Sequence, residues 1–578
     1  MGKNVLISES ILSSIGNILR SKLNTNISYT TSNIIDSINS IDTLWLNTMH
    51  YSKSIFTNIP TTIEDYNILK YIKNNLIIND ANLTSMPEEI LDGCTNLSSI
   101  SIPNCSYIGS YAFRSCFNLS YISIPNCSYI GSYAFYSCTN LSSIYIPSCS
   151  YIGDRAFTHC SKLSSISPMP NCSYIGSYAF AYCSSLSSIS IPNCSYIGTY
   201  AFAHCSKLSS ISLPNCSYIG NAAFYYCHNL SYISLPNCSY IGSSTFYCCY
   251  NLTYISPIPN CSYICSGAFA YCSSLTNSNI QDILNTYKSY STVINDGVFT
   301  RCDGITSLDL TGYTSIGSYA FGYCYSLSSI SIPNCSYICS FAFNGCNNLS
   351  YISPMSNCSY IGSGAFAYCS SLTNSNIQDI LNTYKSYSTV INDGVFSRCD
   401  GITSLDLTGY TSIGSSAFRD CYNLSSISLP NCSYIGSSAF FSCTNLSYIS
   451  PMSNCSYIGS SAFRDCRKLT SISVPNCSYI GIYAFYSCYN LSSISLPNCE
   501  YIGTYAFTYC SKLESIYVLS TKVPSLSNSN AFYYTPLSNS TYLGHFGSIY
   551  VLSSLVNTFK TAANWSKYSA RITAYTGT

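Results

Sequence analysis

Charge is scarce in this chain. Asp, Glu, Lys and Arg make up 8% of its 578 residues and leave a net charge of +1, against a charged content of roughly one quarter in ordinary soluble proteins. That balance excludes a nucleic-acid footprint, which needs an excess of basic residues to displace counterions from phosphates. Long apolar runs are missing too. Ser and Asn interrupt every hydrophobic stretch, so no window approaches the roughly 18 uninterrupted apolar residues of a spanning helix. The opening Met1-Gly2-Lys3-Asn4-Val5-Leu6-Ile7-Ser8-Glu9 lacks a basic stretch followed by a continuous apolar one, so neither a signal peptide nor a membrane anchor is visible. Tryptophan occurs only at Trp45 and Trp565, and no paired carboxylates, G-x-S-x-G elbow or phosphate loop stands in the repeats described below.

What the chain has instead is aromatic bulk and cysteine: 58 Tyr, 25 Phe and 36 Cys. With 15% aromatics it has ample material for a core and is too apolar to be disordered. Self-comparison explains the bias. The phrase Leu97-Ser98-Ser99-Ile100-Ser101-Ile102-Pro103-Asn104-Cys105-Ser106-Tyr107-Ile108-Gly109-Ser110-Tyr111-Ala112-Phe113-Arg114-Ser115-Cys116 recurs up to Leu513 through 18 intervals, twelve of 22 residues, four of 23 and two of 30. Leu97, Ile100, Ile102 and Cys105 fit L-x-x-L-x-L-x-x-N/C, in which a short strand points alternate residues inward and a small residue follows at the bend. Each repeat is therefore one solenoid coil. Twenty-two residues leave no room for a long convex helix, so a tight helical turn is expected over Ser110 to Cys116. Gly109 and Ala112 allow close approach while Ile108 and Phe113 fill the interior. The expected fold is a repeat solenoid, a leucine-rich-repeat horseshoe or rod, mainly β, with one short parallel strand and a tight helical turn per 22–23-residue coil and helical caps at both ends.

The sequence resembles the BspA-type leucine-rich-repeat proteins, whose signature is a strand ending in I-P followed by I-G-x-x-A-F-x-x-C. Here it stands as Ile102-Pro103, Ile108-Gly109-Ser110-Tyr111-Ala112-Phe113 and Cys116, and it recurs over about three quarters of the chain. The resemblance implies a surface or secreted binding protein, often an adhesin for host matrix proteins or other cells, without enzymatic activity. It places the protein outside the cell or on its surface. The chain departs from the usual pattern in carrying Cys105 and its equivalents after Pro-Asn and in showing no export signal, which leaves the virion and the cytoplasm as alternative locations.

The cysteines sort by coil position. Fourteen share the Cys105 position and sixteen the Cys116 position, Cys302 and Cys399 are variants of the latter, and Cys94, Cys248, Cys265 and Cys339 remain. Equivalent cysteines in adjacent coils stand about 4.8 Å apart with parallel side chains, whereas a disulfide needs Cβ atoms near 3.8 Å on converging vectors. They read as small buried thiols filling the bends. Disulfides between columns and metal binding are the alternatives. The Cys248-Cys249 doublet and the Cys261/Cys265 and Cys335/Cys339 pairs are weak metal signals without a nearby His. The five His, at 50, 159, 204, 228 and 545, are scattered. His159 and His204 share a coil position two coils apart, near 10 Å, too far for one metal. No metal, cofactor or catalytic residue is expected.

The 23-residue coils begin at Leu163, Leu252, Leu349 and Leu446, each with a Pro-containing insertion, and Thr276 to Phe299 recurs letter for letter as Thr373 to Phe396, 97 residues on. A four-coil block was duplicated. In each copy Ile280, Ile283, Leu284 and Tyr287, or Ile377, Ile380, Leu381 and Tyr384, follow i, i+3, i+4, i+7 and predict a short helix near 276–296 and 373–393, capped by Asn279 with Asp282 at N3. These helices either pack on the convex side or dock a partner through Tyr287 and Tyr384.

Residues 97–513 form the solenoid, flanked by an N-terminal helical module over 1–60, an N-terminal cap over 61–96 and a C-terminal cap over 514–578. Ile11, Ile15, Ile18, Leu19 and Leu23 mark one helix of the first module and Ile34, Ile35 and Ile38 a second. The module resembles small N-terminal modules of phage tail-associated and other modular proteins. Thr61-x-x-Glu64 starts a helix through Ile68, Leu69 and Ile72. Leu555, Val556, Phe559, Trp565 and Tyr568 mark a helix-bearing C-terminal cap, which shields strand edges.

The outward strand positions carry the functional expectation. Serine dominates them, and Tyr121, Tyr145, Tyr232, Tyr254, Tyr351 and Tyr448 interrupt it. Serine with tyrosine combines neutral hydrogen bonding with rigid aromatic area, the chemistry of adaptable recognition surfaces. Ordinary strand packing of Tyr explains any single one equally well. The chain reads as a non-catalytic, adhesin-like binding protein that recognises a host or cell-surface protein or glycan. The alternative is a structural or receptor-binding component of a phage particle or other assembly, attached through residues 1–60. No nucleic acid and no membrane insertion are expected.

Overall fold

A computed structural model describes residues 76–79, 83–538 and 546–577. The expected N-terminal helices, the Thr61 capping box, Trp45, His50 and His545 lie outside the described residues. The chain divides into two compact units, one reaching Leu275 and taking in Asn285–Tyr290, the other made of Thr276–Leu284 and Ser291–Thr578. Both are parallel β-solenoids.

A coil carries two short strands, where the sequence predicted one. Ser99, Ile100 and Ser101 pair with Tyr121, Ile122 and Ser123 of the next coil, and past the bend Tyr107 and Ile108 pair with Tyr129 and Ile130. The second strand is only two residues long, too short to show alternation. Leu97, Ile100, Ile102, Ile108, Ala112, Phe113 and both cysteines of the coil are buried. Gly131 shows why the glycine column exists, since a Cβ there would lie 2.6 Å from the Ser110 backbone nitrogen of the preceding coil.

The remaining half coil is not a helical turn. The amides of Ala112, Arg114 and Cys116 donate to carbonyls three residues back (3.1–3.3 Å), while those of Tyr111, Phe113 and Ser115 donate to Ser132, Ala134 and Tyr136 of the next coil (2.7–2.9 Å). A 3₁₀ helix would turn every amide inward; here alternate amides stitch neighbouring coils together. The alternation requires left-handed backbone at Tyr111 and Ser115, both with φ +59°, at a cost of about 1 kcal/mol each that the inter-coil bonds offset.

The 23-residue coils end segments of the first ladder. In the first unit one such sheet runs from Leu76–Asn79 to Ser165–Ile166 and another from Ser210–Ser212 to Tyr254–Ile255. In the second unit sheets end at Tyr351–Ile352 and Tyr448–Ile449. The cause is the inserted Ser-Pro. Proline offers no ladder donor, and the Ser167, Ser353 and Ser450 hydroxyls take over as acceptors for the amides of Ile146, Ile332 and Leu429 at 2.7–2.8 Å.

The predicted helices form at Asn277–Tyr287 (α1) and Asn374–Tyr384 (α2). Their caps lie three residues earlier than expected: Thr373 is the N-cap of α2 and Asn376, the counterpart of Asn279, occupies N3, where its Oδ1 accepts from the Thr373 hydroxyl at 2.8 Å. Nor do they lie on the turn side. Each stands in the first strand's column. The Asn374 Oδ1 accepts from the Thr403 and Ser404 amides (2.7 and 3.3 Å), and Gln378 exchanges two bonds with the Asp406 backbone (2.8 and 3.0 Å). Asn277 and Gln281 repeat this on Thr306, Ser307 and Asp309. Side-chain amides spaced i, i+4 thus satisfy a strand edge as a neighbouring strand would. Tyr313 and Tyr410 occupy the Cys105 position of the following coils, and their buried hydroxyls donate to the Leu284 and Leu381 carbonyls at 2.8 Å.

At the C-terminus Ser515–Val518, Ser548–Val551 and Ile572–Ala574 extend the first ladder. The helix Val556–Thr561 and a 3₁₀ turn at Trp565–Arg571 bury Phe559, Trp565 and Tyr568. The Trp565 Nε1 donates to the Pro524 carbonyl at 2.8 Å.

Candidate functional site

All six strand tyrosines point to solvent. Tyr121, Tyr145, Tyr232, Tyr254, Tyr351 and Tyr448 are 41–58% exposed, because side chains alternate along a strand whose Ile neighbours are held in the core. Their surroundings differ. Tyr121 stands in register between Ser99 and Ser143, Tyr351 beside Ser329 and Tyr448 beside Ser426. Tyr232 and Tyr254 stack on each other at 5.4 Å. The serines differ as well. Ser120 and Ser142 hydroxyls donate to carbonyls of the preceding coil at 3.0 Å. Among the described residues those of Ser143, Ser329 and Ser426 have no protein partner, which leaves them to solvent or a ligand.

Tyr287 and Tyr384 are placed differently from the partner-docking expectation. Both are 4% exposed, on the inward face of their helices, so the surface that the insertions offer is made by other residues.

Where a coil position repeats an aromatic residue, the rings form ladders. Tyr107, Tyr129, Tyr151, Tyr174, Tyr196, Tyr218, Tyr240 and Tyr263 stack at 4.7–5.7 Å with nearly parallel planes. Stacked rings cover one another's faces and leave their edges to solvent. The sequence reading missed a mixed ladder on the turn side. His159, Tyr182, His204 and Tyr226 stack in succession at 4.6, 4.5 and 5.1 Å, so a tyrosine ring separates the two imidazoles that share a coil position. Burial, with the nearby His228, pulls the His204 pKa below its ordinary value. The legible signal was the residue just before the second cysteine, which is His or Tyr in consecutive coils.

The cysteines are free thiols, all buried except Cys339. In the second column thiols donate to a carbonyl of the preceding coil, as Cys138 to Phe113 and Cys227 to Phe202, both at 3.1 Å, and Cys116 to Leu91 at 3.2 Å. In the first column Cys105 and Cys127 donate to the Tyr107 and Tyr129 carbonyls of their own coils at 3.3 Å. Burial pushes these thiols up, Cys127 and Cys227 to about 12, the opposite of an activated nucleophile. The ion pairs among the described residues lie on the turn side. Arg398 and Arg419 share the nearly buried Asp420 carboxylate, and Arg464 lies over the Phe441, Tyr483 and Tyr486 rings.

No helix among the described residues is long and apolar enough to cross a membrane. A search of curated proteins finds no match. Among solved structures, the chain is similar to a leucine-rich repeat protein from Bacteroides ovatus, with 18% identity, 82% of this chain and 92% of that one covered, and a TM-score of 0.29. A leucine rich cell surface protein from Faecalibacterium prausnitzii shares 22% identity over 68% of this chain and 89% of its own, with a TM-score of 0.30. A T. pallidum leucine rich repeat protein shares 24% over 33% and 83%, at 0.26. The family described as BspA type leucine rich repeat region matches residues 84–208, 173–292, 292–390, 382–481 and 433–553. With its characteristic coil matched over most of its length, the chain belongs to the BspA-type leucine-rich-repeat family.

Proposed function

We propose that this protein is a non-catalytic, adhesin-like binding protein of the cell surface or extracellular space, and that it holds protein or glycan ligands on its first-strand face. The observation that carries this is the contrast between columns. On that face single tyrosines, Tyr121, Tyr145, Tyr351 and Tyr448, stand exposed outside any ring stack, beside serine hydroxyls without protein partners. By contrast, the rings of the Tyr107 column are stacked on the neighbouring coil and the Ser120 and Ser142 hydroxyls are bonded to it. Rigid aromatic area among adaptable neutral donors and acceptors suits recognition through many weak contacts. Family membership supports a surface binding role, and burial of the thiols in raised-pKa environments gives catalysis no nucleophile there.

The test is replacement of Tyr121, Tyr145, Tyr232, Tyr254, Tyr351 and Tyr448 together by Ser, with the fold verified by circular dichroism. Binding to immobilised matrix proteins, to a glycan array and to cells is then compared with the parent. Loss of the parent's binding supports the strand face; undiminished binding moves recognition to another surface.

A further inference from the structure

The second unit carries one recognition patch twice. Ser307, Ser329 and Tyr351 stand in register along one column. Ser404, Ser426 and Tyr448, each 97 residues later, do the same. The copies agree in side-chain geometry as well as in letters. Asp309 and Asp406 both accept from the threonine two residues on, through its amide at 2.9 Å and its hydroxyl. Gly312 and Gly409 both donate to an asparagine Oδ1 of the next coil at 3.1 Å. Tyr351 and Tyr448 are 51% and 58% exposed. Four coils separate them, and α2 stands between their two sheets in the same column.

Two identical sites in one unit take the same ligand group twice. A ligand that presents that group repeatedly along its length gains by chelation, because the second contact becomes intramolecular once the first is made. The patch chemistry narrows the ligand further. Asp309 and Asp406 are held by threonine, and Lys385 lies near Asp406 with the opposite charge. What faces outward beside each tyrosine is neutral: the Ser329 or Ser426 hydroxyl, able to donate and accept, and a phenol ring whose face no other ring covers, while Ser307 and Ser404 accept from the Asn277 and Asn374 side-chain amides. Such a face accepts a polarised C–H surface, and a pyranose ring offers one, rimmed by hydroxyls that match the serines. We propose that the strand face of the second unit is a two-site binder of a linear, uncharged polysaccharide, with one site at Tyr351 and an equivalent site at Tyr448. This rests on the strand-face reading above and adds ligand class and valency to it.

The experiment is co-sedimentation of the full chain with cellulose, curdlan and mannan, followed by calorimetry with short and long soluble oligomers of whichever polymer retains it. Tyr351→Ser and Tyr448→Ser are each expected to weaken binding to the long polymer by a similar factor, on the order of 10²-fold. Their combination should reduce it to background. The short oligomer should bind the parent at two sites and either single variant at one. Tyr351→Phe, which keeps the ring, should retain polymer binding and so separates loss of the platform from loss of the fold. Retention by none of the polymers overturns the proposal, as does a single substitution that leaves long-polymer affinity unchanged. Matrix proteins assayed in parallel distinguish the two failures. Protein binding that the double variant loses removes the polysaccharide and keeps the strand face, whereas protein binding indifferent to both tyrosines removes both.

Discussion

Alkaline pH should dismantle this solenoid within a narrow range. The argument rests on thiol burial. Thirty-five of the 36 cysteines are buried, and desolvation pushes the pKa of most of them up, to about 12 at Cys127, Cys172, Cys216 and Cys227. In the unfolded chain the same thiols ionise near 8.5. Above that pH the unfolded chain therefore binds fewer protons than the native one, and stability falls as pH rises until the folded pKa is reached. The stabilisation is complete below about pH 7.5 and is lost from about pH 8.5 upward. One unit above its ordinary pKa each thiol contributes about 1.4 kcal/mol to unfolding. A regular coil holds two, as Cys105 and Cys116, so at pH 9.5 a coil loses about 3 kcal/mol, against a net stability of about 2 kcal/mol for its 22 residues. Most coils meet the same deficit, the coils with Tyr313 and Tyr410 at the first position holding one thiol each, and coils lean on their neighbours, so the loss propagates.

The assay is circular dichroism and tryptophan fluorescence against pH, under argon with a reductant to keep disulfide formation out of the readout. A transition between about pH 8.5 and 10, steeper than one or two protons allow, is expected. Potentiometric titration across it should release protons in numbers comparable with the buried thiols. Cys→Ala in both columns of an end coil should move the transition upward for that coil. A chain that keeps its spectrum at pH 11, or unfolds with the release of one or two protons, refutes the reasoning.

Native thiols should be nearly inert to a thiol-specific disulfide reagent at pH 8, because a pKa of about 12 lowers the thiolate fraction by roughly 10³ relative to a free cysteine; half-exposed Cys339 should react first, and denaturant should release the rest. Asn374→Ala should cost about 1–3 kcal/mol in urea unfolding, since it unpairs the Thr403 and Ser404 amides, and Asn277→Ala should cost the same. Tyr410→Phe should cost about 0.5–1.5 kcal/mol by removing the phenol donor from the Leu381 carbonyl, which keeps the Lys385 amide. Gly198→Ala should lower the unfolding midpoint by the equivalent of about 3 kcal/mol, because its Cβ would sit 2.6 Å from both Gly176 C and Ser177 N.

The coil was legible because its inward residues are fixed by packing and therefore recur. Leu97, Ile100, Ile102, Ile108 and Phe113 could be assigned from period alone, and all are buried. What escaped depends on the neighbouring coil. Tyr107-Ile108 becomes a strand only by pairing with Tyr129-Ile130. The left-handed positions hold Tyr, Ser, Arg, His and Asp, with glycine only in a minority such as Gly267 and Gly345, so the usual glycine mark of positive φ was mostly absent. The i, i+4 pair Asn374 and Gln378 lay in plain view, yet hydrophobic periodicity identifies only the apolar face of a helix and says nothing of the edge its polar face completes.

The same neighbour dependence separates structural tyrosine from tyrosine available for recognition. A tyrosine repeated from coil to coil, as in the Tyr107 column, meets its own copy about 5 Å away and loses both ring faces to stacking. A tyrosine at a position that is serine in the preceding coil, such as Tyr351 or Tyr448, keeps a ring face and the serine hydroxyl beside it. In a chain grown by copying, regular positions thus build the solenoid, and exposed, unstacked tyrosines stand where a copy departs from the phrase. The 97-residue duplication then copied the departures themselves. It reproduced Asn277 and Gln281 as Asn374 and Gln378, Tyr313 as Tyr410 and Tyr351 as Tyr448. Duplicating plain coils would lengthen a spacer; duplicating departures would double the valency of the proposed strand-face site, which suits a ligand that repeats.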